Sequence, residues 1–232
     1  MNTTSTDRFI LRAQACALIA LPVAWLLMFA LHFRRFAEFF VFHAQYVPMP
    51  ADEKVAHLIQ MHNRWPMVHD PHMLGYLTLP LFVLGAFGLY AIGRRPSPRL
   101  AALGISLTVT GSIFLGGVFG LFIALTRGLG DVDPRYVDGA IATYTAVTAD
   151  HEAYGMTRRL AMLAMVGLAV QAVALWRATG VPRWSPIAIV TGCTFFLSFW
   201  DVDNMMTLGT VCIVAGFVPI ARTLFHAPLP PG

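Results

Sequence analysis

Apolar residues along this chain run in long blocks, not in the two-residue alternation of a half-buried strand. A bilayer core of roughly 30 Å takes about 20 apolar residues in a helix. Six stretches reach or approach that length, at residues 13–32, 73–92, 100–126, 160–176, 185–200 and 204–220. The fifth is the shortest, so the last two also read as a shallower hairpin. The first is too long, and too poor in small-residue cleavage signals, for a removable signal peptide; it reads as a permanent anchor. The predicted architecture is all-α: a single integral membrane domain over 1–232, a bundle of about six transmembrane helices. No internal repeat, low-complexity tract or second domain interrupts it.

Two long connections separate the spans. Residues 33–72 carry Phe36, Phe39, Phe40 and His43 at helical spacing, which predicts an interfacial amphipathic helix over 34–46. Pro50 and Asp52 then open a short helix with Val55, Leu58, Ile59 and His62 on one face. Residues 127–157 contain Asp133-Pro134, an N-cap followed by a first-turn proline. The helix it starts has Val137, Ala140, Ile141, Tyr144 and Val147 as its apolar side. These segments are expected to form helical lids over the mouth of the bundle.

Composition sharpens the class. With 57% hydrophobic and 12% charged residues and a mean hydropathy of +0.65, the chain departs from soluble domains, which carry about twice that charge. Disordered, nucleic-acid-binding and disulfide-stapled classes are excluded on the same ground. The charge divides unevenly. One set of loop ends collects Arg8, Arg12, Arg94, Arg95, Arg99, Arg177, Arg183 and Arg222 against Asp7 alone, a net +7; the other face sums to −3, giving the chain's +4. The positive-inside rule then predicts cytoplasmic N- and C-termini in the inner (plasma) membrane of a bacterial-type cell. Trp176 and Trp184 fall at the inner interface and Trp65 and Trp200 at the outer one, as an aromatic belt requires.

No ionisable residue lies near the middle of a predicted span, which argues against a proton-coupled transporter and against haems stacked across the bilayer. Thr108, Ser112, Gly104 and Gly111, with Gly116 and Gly120 as a small-xxx-small pair, predict close helix approach along the third span. Pro80 and Pro219 predict kinks. Cys16, Cys193 and Cys212 read as small apolar residues; a disulfide between the last two has nothing to support it.

Candidate chemistry gathers on the outer face. Seven of eight histidines fall there, and residues 57–73 hold four of them with three methionines and one carboxylate. Imidazole suits copper, zinc, iron and nickel, while thioethers favour Cu(I), so a copper site is the first expectation. Its ligands would be His57, Met61, His62, His69 and His72, with His32 or His151 completing the shell, in a membrane oxidoreductase or metal-handling role. No zinc signature is present. The competing reading is that these are interfacial histidines and packing methionines.

Asp70 and Asp133 precede prolines, and Asp203 precedes Asn204; N-capping accounts for all three. The stretch Asp150, His151 and Glu152 could cap the fourth span in the same way. Asp201 ends the fifth span, where the helix dipole disfavours an anion. It needs an ion-pair partner among Arg34, Arg35, Arg64, Arg158 and Arg159, or a chemical task. A second expectation is therefore a metal-independent enzyme in which Asp201, Glu38 or Asp70 with a histidine transfers protons on a lipid or isoprenoid, as a cyclase or isomerase. Its cavity would be lined by Phe39, Phe40, Trp65, Phe199 and Trp200. The third is an accessory subunit of a larger membrane complex, docking through its lids and the Gly116–Gly120 face.

Overall fold

The computed structural model describes residues 5–31, 69–148, 152–200 and 202–226, with isolated positions 50, 53 and 56. Every element among them is helical: α1 (Ser5–Ala30), α2 (His69–Leu77), α3 (Leu79–Gly93), α4 (Pro98–Gly130), a 3-10 turn (Pro134–Tyr136), α5 (Val137–Thr148), α6 (Ala153–Ala161), α7 (Leu163–Ala174), α8 (Trp184–Ser198) and α9 (Asp203–Phe225). Among the described residues four stretches are long and apolar enough to cross a membrane: Thr6–Ala30, Pro98–Leu129, Tyr154–Ala174 and Asp203–Phe225. The apolar helices α3 and α8 have 15 residues each, about 22 Å at 1.5 Å per residue. The expected lids over 34–46 and after Asp52 lie outside the described residues, apart from Glu53 and Ala56, both helical.

Where helices depart from the hydropathy blocks, local chemistry explains it. The second block is split at Thr78, because Pro80 has no N–H to offer the carbonyl one turn back. Thr78 stabilises the break. It is buried, its Oγ1 donates to the Gly75 carbonyl at 2.8 Å, and it accepts from Trp25 Nε1 of α1 at 3.2 Å. The fourth block begins earlier than hydropathy implies. Its first turns, α6, are amphipathic, with Gly155 and Ala161 buried and Met156, Arg159 and Leu160 exposed. A tight turn at Met162, whose N–H bonds the Arg159 carbonyl, joins α6 to α7. Asp133 caps as expected, accepting from Arg135 N at 2.9 Å. The last helix is capped one residue earlier than expected. Val202 is extended (φ −108°, ψ 93°), and Asp203 is the first helical residue, where its charge favours the dipole. Glu152 is the N-cap of α6 but makes no side-chain capping bond.

The helices close a ring: α1 lies between α9 and α3, α9 packs on α8, α8 on α7, α7 on α4 and α4 on α3. An aromatic cluster holds α1, α3 and α8 together. The Trp25 ring lies 5.6 Å from Phe82 and 5.5 Å from Phe196, and Phe29 lies 6.0 Å from Phe196. In a lipid solvent such packing acts through dispersion and close fit, since burial from lipid brings little hydrophobic gain.

Two seams are closer than the rest. Between α4 and α7, a methyl built on Gly111 would lie 2.6 Å from Ala164 Cα and the Leu163 carbonyl carbon, and one on Gly104 would lie 2.8 Å from Gln171 N. Gly167 faces Thr108 from the other side with equally little room. Between α8 and α9, a methyl on Gly192 would meet the Gly209 carbonyl at 2.5 Å, and one on Gly216 the Ser185 carbonyl at 2.7 Å. Ser185 Oγ donates to the Gly216 carbonyl at 2.6 Å, so this seam is also hydrogen-bonded. In both seams the small residues stand seven apart (104 and 111, 185 and 192, 209 and 216), two helical turns along one face. Gly116 and Gly120 face Leu79 and Tyr76 of this same chain, in line with the close helix approach expected along this span. Cys16, Cys193 and Cys212 are all free thiols.

One end of the ring gathers the start of α1, the α3–α4 turn, the α7–α8 turn and the end of α9. Gly93 abuts Ala174, Leu175 and Ala101; Gly180 abuts Thr223, which donates to its carbonyl at 2.9 Å; and Arg12 lies 5.2 Å over the Phe225 ring. All eight arginines assigned to one face by charge counting stand on these segments.

Candidate functional site

The opposite end carries the described part of the expected site. The described part of α2 starts with the turn at His69, and Asp70 is helical within it, not the cap ahead of it. Positions 69 and 72 are three apart and share one side of that turn. The His72 ring is half-buried against α4, 4.4 Å from the Phe122 ring and 6.3 Å from Phe119. This seat exists because Gly75, one turn on, faces Met28 Sδ and Phe119 at contact distance, letting α2 lie flat between α1 and α4.

Of the other expected site residues, His32, Glu38, His57, Met61, His62, His151 and Asp201 lie outside the described residues, and for His69 and Asp70 the backbone alone is described. Among the described residues, no three His, Cys, Asp or Glu side chains gather as a metal-holding group. What is assembled at this end is therefore one seated imidazole and one helical turn that pairs it with a second histidine position.

Around this rim, α5 behaves as its pattern predicts. Tyr144 is buried, Ala140 and Ile141 pack beside it, and the three lean on Leu129 at the end of α4. The helix borders the rim, touching α6 and the 3-10 turn. Its entry is pinned by a two-pronged pair: Arg135 Nε to Asp133 Oδ1 at 3.1 Å and Nη2 to Oδ2 at 2.7 Å. The Arg135 side chain, then its backbone N–H, hold the exposed Asp133 carboxyl below the usual range.

Sequence reasoning passed over two buried amides. Gln171, in the middle of α7, is 1% exposed; its Nε2 donates to Thr108 Oγ1 at 2.9 Å, and Thr108 Oγ1 donates in turn to the Gly104 carbonyl at 2.8 Å. Gln14 of α1 is buried beside Gly88. The Oε1 atoms of both have no hydrogen-bond partner among the described residues. A lone amide in an otherwise apolar block was the available signal. On the outside of the ring, Val190, Thr191, Thr194, Phe195 and Phe199 line an open groove along α8, with the two phenylalanine rings 5.9 Å apart. Of the residues expected to line a substrate cavity, Phe39, Phe40 and Trp65 lie outside the described residues, Phe199 lines this groove, and Trp200 packs half-buried against the core.

Neither a family model, nor a characterised protein, nor a solved structure matches this chain, so what it does must be argued from these residues alone.

Proposed function

We propose that this is a six-span protein of the inner (plasma) membrane, with the arginine-bearing end in the cytoplasm and a transition-metal site, copper by preference, at the exoplasmic rim. In this reading α2 and α3 together form one interrupted span, and α8 forms a short one. The observation that carries the metal assignment is the turn of α2 at residues 69–72. It sets His69 and His72 on one side, at the ring end opposite the arginines, with the His72 ring already seated on Phe122. His57, Met61 and His62 supply the imidazole and thioether character that favours copper, and His32 or His151 completes the shell. The role is in a membrane oxidoreductase or in metal handling.

Elemental analysis of detergent-purified protein tests it. Copper is expected to co-purify and to be lost in the H69A/H72A double variant; copper content unchanged by that variant overturns the assignment. A second reading is favoured by the α8 groove, whose open aromatic pair fits an acyl or isoprenoid chain. There the protein is a metal-independent enzyme with Asp70, Asp201 or Glu38 transferring protons, and turnover that survives strong chelation selects it.

A further inference from the structure

Basic character in this chain is almost entirely guanidinium: fifteen arginines against the single Lys54. Arginine and lysine serve charge bias equally, but only the guanidinium fork grips a phosphodiester through two parallel hydrogen bonds. The ring brings these forks together. Gly93, directly before Arg94 and Arg95, abuts Ala174 and Leu175, directly before Trp176 and Arg177. Arg99 lies in the first turn of α4 beside them, and Arg183 caps α8 on the far side of the same turn. Among the described residues none of these five arginines pairs with a carboxylate; the ion pair present, Arg135 with Asp133, is at the other end.

An independent feature specifies the environment. Trp176 is 48% exposed and Trp184 is 52% exposed, and each is the sequence neighbour of one of these arginines. Exposed tryptophan on a membrane helix belongs at headgroup depth, where the ring lies among acyl carbonyls and its N–H finds a partner. Phe9 and Phe225, also exposed, extend the aromatic girdle around the same end. Guanidiniums with no carboxylate partner, immediately beyond a band of exposed indoles, are complementary to phosphate groups held at a fixed height above hydrocarbon.

We infer that the α3–α4 and α7–α8 turns form a binding surface for anionic phospholipid headgroups, with Arg94, Arg95, Arg99, Arg177 and Arg183 as the phosphate grip and Trp176 and Trp184 as its acyl-side anchors. The inference rests on the membrane reading above and is independent of the metal. Its consequence is that the bundle selects the lipids around one end instead of accepting any bilayer.

The test is lipid retention by native mass spectrometry, together with thermal unfolding in mixed micelles, using the full chain. Phosphatidylglycerol is expected to be retained over phosphatidylcholine by roughly tenfold or more, as two engaged arginines supply, and to raise the unfolding midpoint in a salt-sensitive way. Replacing the five arginines by alanine should remove the preference while leaving the midpoint in phosphatidylcholine unchanged. Replacement by lysine should keep only part of it. Equal retention of both lipids, or a full preference in the alanine variant, overturns the inference. An equal stabilisation by inorganic phosphate at matched concentration also overturns it, since the surface would then be a free-anion site. Alkaline carbonate extraction separates the two failures: a chain released into the soluble fraction refutes the membrane reading, whereas a chain that stays integral without lipid preference refutes this inference alone.

Discussion

The α4–α7 seam yields a prediction with opposite signs for one chemical change on one helix. Alanine at Gly111 puts a methyl 2.6 Å from Ala164 Cα and the Leu163 carbonyl carbon, where ordinary carbon contacts lie at about 3.5–4.0 Å. The obstacle is backbone, so no side-chain rotation relieves it, and the helices must part by about 1 Å. A gap of that size forfeits a quarter to a half of each dispersion contact along the seam, and overpacking of this kind costs about 1–3 kcal/mol. Parting the helices also stretches the Gln171–Thr108 hydrogen bond, now 2.9 Å, worth about 1 kcal/mol. Alanine's better helix propensity returns about 1 kcal/mol. Gly111→Ala is therefore expected to destabilise by about 1–3 kcal/mol. Gly128, further along the same helix, has nothing within 4 Å of an added Cβ, so Gly128→Ala carries only the propensity gain, stabilising by up to about 1 kcal/mol. Thermal unfolding in detergent, at about 2–4 °C per kcal/mol for a chain of this size, should separate the two by several degrees. If Gly111→Ala unfolds at or above the temperature of Gly128→Ala, the close approach of α4 and α7 is wrong.

Three further outcomes follow from other positions. Gln171→Met keeps volume and removes an acceptor with no partner together with the donor to Thr108, two effects of opposite sign and about 1 kcal/mol each, so it should be close to neutral. Thr108→Val leaves the Gln171 N–H groups without their acceptor and should cost about 1–2 kcal/mol; the double variant should recover much of that loss in the same unfolding assay, and additivity would sink the argument. Thr78→Val removes the acceptor of Trp25 Nε1 and the shorter of two hydrogen bonds to the Gly75 carbonyl at the Pro80 break, for an expected loss of about 1–3 kcal/mol. For Asp133 the sign follows from its lowered pKa: its support for the entry to α5 is fully present above the ordinary aspartate value of about 3.9 and is lost as pH falls through the lower folded value. Hydrogen-exchange protection of residues 137–140 should thus be flat from neutral pH to about 4 and fall below it, and Asp133→Asn should abolish that pH dependence; protection that declines already at pH 6 would refute it.

Helix existence was legible because apolar blocks in a membrane chain announce themselves without any partner being known. So was the apolar side of α5, where Tyr144, Ala140 and Ile141 pack as their spacing requires. The candidate site was legible only as a list of residue types. A ligand set depends on which loop residues converge, and convergence is a property of chain path that periodicity does not encode; of the expected ligands only the His72 side chain can be placed.

The glycines show the same limit in sharper form. A spacing of four, as in Gly116 and Gly120, suggests a right-handed pair of crossing helices. In the α4–α7 and α8–α9 seams contact repeats every two turns along one face, so the decisive spacing is seven. The residues that allow it, Gly104 with Gly111 and Gly209 with Gly216, were visible all along. The two closest seams also hold buried polar side chains, Thr108 with Gln171 and Ser185 with the Gly216 carbonyl, where the close approach satisfies a short polar group without water. Small residue and polar residue are one signal: the first makes the approach that the second needs.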